Sequence, residues 1–328
     1  MKVGQRYAET NPGRKRRRNE DSFVSDPPLF AVADGMGGAQ AGEVASSLAA
    51  SALKERGDGD AGDGERRVAE LIQEANRRVH QRALDDEAAS GMGTTMTVAL
   101  VHDDGAVTIG HVGDSRAYLL RDGVLEQLTD DHSLVAELVR RGELSPEEAE
   151  VHPQRSVITR ALGTDPDVDV DTFTLQARAG DLFLLCSDGL TTMVDVETIT
   201  EIVARHQHDL RAAARALIKE ANDRGGDDNI TTVLFGVAEG EPDDEAVEVA
   251  VREEDEDTLH PGDAVAIGDG DGDTSIITVE EIRSALEAEA EVETEKPRVP
   301  LWRWFASALL IVVLAALALL LVFKGLAR

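Results

Sequence analysis

Residues Leu29–Gly38, LFAVADGMGG, constrain this chain more than any other stretch. The unbroken apolar run Leu29–Ala33 reads as a strand buried on both faces, and one aspartate, Asp34, ends it. Glycines then flank Met36, so the backbone can turn tightly and other chain can approach it closely. The strand therefore delivers a single carboxylate to its own end, a place suited to a metal ion or a phosphate. Asp-Gly is also a common hairpin dipeptide, and from this stretch alone a plain turn stays open as the alternative.

Three other stretches repeat the arrangement. The basic run Arg14–Arg18 passes straight into Asn19, Glu20 and Asp21, ahead of the strand-like Ser22–Val24. Residues Asp181–Ser187, DLFLLCS, form a second buried-strand pattern that ends in Asp188-Gly189, and Gly225-Gly226-Asp227-Asp228-Asn229 precedes the run ITTVLFGV. Hard divalent cations need several oxygen ligands from separate segments, and these strand boundaries supply them.

With four further motifs the chain resembles the metal-dependent PP2C (PPM) family of serine/threonine protein phosphatases, in its compact bacterial form. The motifs are RRRNED at 16–21, ADGMGG at 33–38, GMGTTMTVAL at 91–100, HVGDSRAYLL at 111–120, TDDHSL at 129–134, ITRALG at 158–163, SDGL at 187–190 and GGDDNIT at 225–231. They stand in the family's order within residues 1–238. The resemblance implies an α+β fold, a four-layer αββα sandwich of two antiparallel sheets flanked by helices. It implies hydrolysis of phosphoserine and phosphothreonine in proteins with two Mn²⁺ or Mg²⁺ ions, and a third ion in bacterial members. Asp34 would bridge the two metals; Asp188 and Asp228 would complete one site; the Gly35 carbonyl, with Glu20 acting through a water, would complete the other. Asp114 matches a ligand of the third ion, Asp21 and Asn229 would orient the ligands from behind, and Arg16 would bind the substrate phosphate.

One position departs from the eukaryotic pattern. Where many such members carry a histidine after Asp-Gly, proposed to protonate the leaving alkoxide, this chain has Met36. The general acid is left unassigned, with His132 and His152 as candidates beside a metal-bound water. Two rival classes are weighed against the enzyme: an inactive phosphopeptide-binding or scaffolding module, against which intact Asp34, Asp188 and Asp228 argue, and a serine esterase using Ser115. The single cysteine, Cys186, lies inside an apolar strand and lacks an arginine six residues later, where Thr192 stands, so it reads as core.

Along the chain, helices are expected at 43–56 and 65–84, separated by a Gly/Asp loop. Four strands at Met96–His102, Ala106–Val112, Arg116–Leu120 and Val124–Leu128 read as a meander with Asp-Gly turns. Helices near 131–141 and 146–150, with the looser stretch to about 170, would form the flap that the family sets beside its active site. Helices near 196–205 and 208–222 precede the last strand. Strands grouped with few βαβ alternations point to antiparallel sheets rather than a doubly wound fold.

At Ala238 the composition changes. Residues 239–295 hold 22 acidic residues against two arginines and no aromatic residue, so 239–298 is expected to be a largely disordered linker. Within it Asp269, Asp271, Asp273 and Glu280 have the spacing of a calcium loop, but the glycine such a loop needs at its sixth position is Thr274. Thr278–Glu281 reads as a capping box for a short helix over 279–290. Phe305–Phe323 is a run of 19 residues without a charge, flanked by Trp302 and Trp304, long enough to span a hydrocarbon core of ~30 Å. Residues 299–328 are therefore expected to be a single-pass anchor in the lipid of the cytoplasmic membrane. With no signal-like run in the first 30 residues, the catalytic domain is expected in the cytosol, opposing a cognate serine/threonine kinase. The formal net charge of -31 argues against a nucleic-acid partner.

Overall fold

The computed structural model describes residues 1–37, 41–55, 63–239 and 250–251. The chain opens with strands β1 (Lys2–Asn11), β2 (Asp21–Asp26) and β3 (Leu29–Met36), followed by helices α1 (Ala41–Glu55) and α2 (Gly64–Asp85). Strands β4 (Gly93–Thr94), β5 (Met96–Val101), β6 (Ala106–Val112), β7 (Arg116–Arg121) and β8 (Val124–Gln127) come next, then helices α3 (Leu134–Arg140) and α4 (Pro146–Glu150). Strands β9 (Asp171–Gln176) and β10 (Leu182–Cys186) lead to helices α5 (Asp188–Thr191), α6 (Val196–Arg205) and α7 (Leu210–Asp223). Strand β11 (Ile230–Ala238) and the two-residue β12 (Ala250–Val251) complete the described elements.

The strands form two sheets, in the orders β12-β1-β11-β10-β7-β8 and β2-β3-β5-β6-β9, with β4 on β3. All pairings are antiparallel except that of β12, which runs parallel to β1 beside Glu9 and Thr10. The period-2 alternation of side chains builds the layers. In β3, Phe30 and Val32 point between the sheets, while Leu29, Ala31 and Ala33 meet the helices outside. In β10, Phe183 and Leu185 face inward and Leu182, Leu184 and Cys186 face the other helices. Phe235 of β11 stacks on both Phe30 and Phe183, with ring centroids 4.1 and 4.9 Å apart, so aromatic rings join the sheets at their centre. Helices α1 and α2 cover one sheet and α6 and α7 the other. This is the αββα sandwich expected from the resemblance.

Two expectations are corrected. The four strands from 96 to 128 are no single meander: β5 and β6 belong to one sheet, β7 and β8 to the other. The chain changes sheet at Gly113–Ser115, where Gly113 has a φ of 110° that favours glycine, and a Cβ there would lie 2.6 Å from the Thr95 side chain. Strands β1 and β9 carry no strand expectation, and both lie in the sheets. The apolar content of β1 is low because its buried end is polar: Glu9, Thr10 and Asn11 are all buried.

Among the described residues no helix is long and apolar enough to cross a membrane. The apolar run 305–323, the calcium-like loop 269–280, the capped segment 278–290 and nearly all of the acidic stretch 239–298 lie outside the described residues. The pairing of Ala250 and Val251 with β1 places two residues of that stretch in a sheet rather than in a linker.

Candidate active site

The site forms where the ends of both sheets meet. Asp34 extends the inward-facing row of Phe30 and Val32, and the register of β2 on β3 sets Asp21 opposite it. From the other sheet, β10 ends at Asp188 and β11 starts just after Asp228 and Asn229. A small, partly open cleft lies there, lined by Arg16, Glu20, Asp34, Gly35, Met36, Gly37 and Asp228.

Close backbone approach holds these ends together. A Cβ on Gly35 would lie 2.1 Å from the Gly42 carbonyl oxygen of α1, and one on Gly189 would lie 2.0 Å from that of Asn229. Only glycine admits either contact. Asn229 pins the N-terminal arm: its Oδ1 accepts from the Glu20 N–H at 2.8 Å, and its Nδ2 donates to the Pro12 and Arg18 carbonyls at 3.0 and 2.8 Å. Asp34 is fixed through its backbone, with its N–H donating to Thr95 Oγ1 at 2.9 Å and its carbonyl accepting from Thr94 Oγ1 at 2.8 Å.

The carboxylates are crowded. Burial, and then the Asp21 and Asp188 charges, push Asp34 well above the usual carboxylate range. Burial, and next the Asp228 charge, push Asp188 up to about 6. Burial likewise raises Asp21 to about 7, against the pull of hydroxyl donors from Thr231 at 2.6 Å and Ser187 at 2.8 Å. Asp114, on the crossover between the sheets, is raised by burial and by Asp188. Behind it Arg116 makes a two-pronged contact with Asp131, at 2.8 and 2.7 Å, and its charge partly offsets these rises.

One oxygen each of Asp21, Asp114 and Asp188 is buried without a hydrogen-bond partner. Unpartnered carboxylate oxygens so close together are costly unless a cation takes them. The donors are all oxygen, which suits hard ions such as Mg²⁺ and Mn²⁺ rather than zinc. Among the described residues no group of three or more His, Cys, Asp or Glu side chains is already arranged so that it could hold a metal ion.

Arg16 lies at the cleft and donates from Nη2 to Asp228 Oδ2 at 2.8 Å. Its neighbours turn away, with Lys15 paired to Asp227 at 2.8 Å and Arg14 to Asp223 at 3.8 Å. Glu20 and Gly35 are brought to the same cleft as Asp34 and Asp228, whereas Asp114 and Asp188 lie beside it, behind its lining.

Neither histidine candidate lines the cleft. Gly113 N–H donates to His132 Nδ1 at 3.0 Å, so the neutral ring carries its proton on Nε2, aimed at Asp171 Oδ2 at 3.1 Å. Burial and the nearby Arg160 charge lower its pKa, and it acts as a fixed post between the crossover and β9. His152 sits in the turn after α4, where its Nδ1 accepts from the Gln154 N–H. Ser115 is fully buried, with its hydroxyl 2.8 Å from Thr95 Oγ1, which gives it no access to an ester. Cys186 is core, and burial pushes its thiol up to about 12. Met36 is 4% exposed and packs with Ile158 and Ala161, residues of the expected flap.

The expectations missed the residues that hold the carboxylates: Ser187 and Thr231 on Asp21, Thr94 and Thr95 on Asp34, and the Arg116–Asp131 pair. Each lies inside a quoted motif, but Ser187 and Thr231 reach Asp21 from the other sheet.

The sequence profile of the family described as protein phosphatase 2C matches residues 14–235. A serine/threonine phosphatase, stp, of Listeria monocytogenes serovar 1/2a is 43% identical over 235 residues, covering 69% of this chain and 92% of that protein. The crystal structure of the Mycobacterium tuberculosis serine/threonine phosphatase PstP/Ppp is similar with a TM-score of 0.69 at 40% identity, over 72% of this chain and 99% of that one. A structure of the PstP catalytic domain in complex with 2 manganese ions has a TM-score of 0.66 at 38% identity, over 73% of this chain and all of that one. The profile spans the arm that carries Arg16, the strand that ends in Asp34 and the Asp228 loop alike, and the chain belongs to the protein phosphatase 2C family.

Proposed function

We propose that the protein is a metal-dependent phosphatase that hydrolyses phosphoserine and phosphothreonine in other proteins. The observation that carries this reading is the cluster of buried carboxylates Asp21, Asp34 and Asp188, with an unpartnered oxygen on Asp21 and on Asp188, beside a cleft that also presents Arg16. Divalent ions, when bound, activate water as a nucleophile near neutral pH and offset the charge on the phosphoryl oxygens. Asp34, Asp188 and Asp228 would hold them, with the Gly35 carbonyl and, through water, Glu20. Asp114 would serve a third ion. Asp21 and Asn229 orient this set, one through its hydroxyl donors and the other by pinning the arm. Arg16 binds the phosphate with a planar fork that matches phosphoryl oxygens.

The intact carboxylate set and the relatives' phosphatase names favour the enzyme over a binding module. The test is hydrolysis of p-nitrophenyl phosphate and of a phosphothreonine peptide with Mn²⁺. Activity abolished by EDTA and by Asp34→Asn is expected; metal-independent turnover would overturn the reading.

The charge-free run 305–323, bordered by tryptophans and arginines, supports a membrane-anchored form with the catalytic domain in the cytosol, acting against a serine/threonine kinase. Deleting 299–328 should move activity from the membrane to the soluble fraction. Protease access to the catalytic domain from outside intact cells would overturn the orientation.

A further inference from the structure

The basic arm is strapped to the loop before β11 by a ladder of contacts. Arg14 and Lys15 each donate a backbone N–H to the Gly226 carbonyl, at 2.7 and 3.2 Å. Their side chains pair with Asp223 and Asp227, and Arg16 pairs with Asp228. Of the three acids only Asp228 lines the cleft. Its two oxygens are both engaged: Oδ1 accepts from the Asn229 N–H at 2.8 Å, and Oδ2 accepts from Arg16 at 2.8 Å. One carboxylate thus already carries a full cationic partner at charge-assisted hydrogen-bond distance.

We propose that Arg16 and a metal ion are rival cations for Asp228, so that metal ligation there releases the guanidinium toward the phosphoryl group and couples metal loading to phosphate binding. This rests on the metal role given to Asp228 above. A single negative charge cannot neutralise a guanidinium and a divalent ion together, and the two cations repel at this distance. The arm need not move for the exchange, because its backbone is held through Gly226 and its neighbouring side chains by other acids; only the Arg16 side chain turns. Linkage makes the effect reciprocal: whatever weakens the Arg16 contact strengthens metal binding, and phosphate that captures Arg16 does the same.

The test is calorimetric titration of the metal-free full chain with Mn²⁺. Arg16→Ala and Arg16→Gln, the second keeping length and hydrogen-bonding capacity without charge, should each bind Mn²⁺ about fivefold or more tightly than wild type. Lys15→Ala, which removes an equal charge from the next position, should leave the affinity within about twofold. Inorganic phosphate should raise Mn²⁺ affinity in wild type and much less in Arg16→Ala. Unchanged or weaker Mn²⁺ binding in folded Arg16→Ala and Arg16→Gln, or an equal gain in Lys15→Ala, overturns the proposal. Asp228→Asn separates the two levels: if it does not weaken Mn²⁺ binding the metal reading itself fails, and if it does while the Arg16 variants show no gain, only the rivalry fails.

Discussion

Thr231 donates its hydroxyl to the Asp21 carboxylate at 2.6 Å, joining residues 210 positions apart in the chain. The contact crosses from one sheet to the other, since Asp21 starts β2 and Thr231 lies in β11. It gives a buried carboxylate a partner on one oxygen and leaves the other, Oδ1, without one. The same bond therefore serves the fold and aims an acid at the site.

Thr231→Val removes that donor with little change of shape. Leaving the Asp21 oxygen short of a partner should cost about 1–3 kcal/mol of stability. Loss of an orienting group should also weaken Mn²⁺ binding by roughly tenfold or more. Chemical denaturation and Mn²⁺ titration read the two effects separately; a stability loss with unchanged metal affinity would show Thr231 to be structural alone.

Asp188 and Arg16 should fail in different ways. Asp188→Asn removes a charge from the metal-holding set, so turnover at saturating Mn²⁺ should fall by about a hundredfold or more. Arg16 contacts phosphate in both the bound substrate and the transition state, so Arg16→Ala should act chiefly on KM, with a smaller loss in kcat. Arg14→Ala and Arg18→Ala should have little effect, because both side chains are exposed and paired away from the cleft at 3.8 Å, with Asp223 and Glu43. Steady-state kinetics on the four variants decides; a KM effect that falls on Arg14 or Arg18 would move the phosphate contact along the arm.

His111 should make the fold acid-sensitive. It is buried between Thr97 and the Asp130 carbonyl, its ring 4.7 Å from that of His132, and burial lowers its pKa to about 3. Above about pH 6.5 the ring is neutral whether the chain is folded or not, so it adds no pH dependence. Below that the unfolded chain takes up a proton that the folded one refuses, and stability falls by about 1.4 kcal/mol per pH unit until the folded pKa is reached. Buried Asp21 and Asp188 titrate in the same range with the opposite sign, so the effect is read as a difference. The stability gap between wild type and His111→Asn should narrow by about 2 kcal/mol from pH 6.5 to 5 in urea unfolding. A gap independent of pH would mean that the ring is not held neutral.

What the sequence made legible were the apolar strands and the acids that end them. The runs at 29–33 and 182–186 announce burial by composition, and Asp34 and Asp188 stand where such runs stop. Strand β1 was hidden because its inner end carries Glu9, Thr10 and Asn11, polar residues buried by the site's own hydrogen bonds, such as the 2.6 Å contact of Thr10 with Thr231. The crossover at Gly113 was hidden for a different reason. Short antiparallel hairpins look alike whether or not they share a sheet, and only the packing of β7 on β10 reveals the change. The supporting hydroxyls of Ser187, Thr231, Thr94 and Thr95 could not be told from ordinary strand residues, because their role depends on contacts across both sheets.

Residues 1–238 should form a soluble and active enzyme by themselves. The inter-sheet core, both helical layers and all the cleft-lining residues lie within that span. Beyond it, β12 adds only two residues to the outer edge of β1. Removing them bares an edge strand whose open end carries Lys2 and Arg6, charges of the kind that guard an open strand against pairing with other chains. The fragment should therefore stay monodisperse, with kcat within about twofold of the full chain and a midpoint within about 3 °C, since the lost pairing is worth about 1 kcal/mol or less. Size-exclusion chromatography, thermal unfolding and phosphopeptide kinetics test this together. Aggregation of the 1–238 fragment, cured by extending it to residue 251 but not by raising salt, would show that the β12 strand is part of the fold.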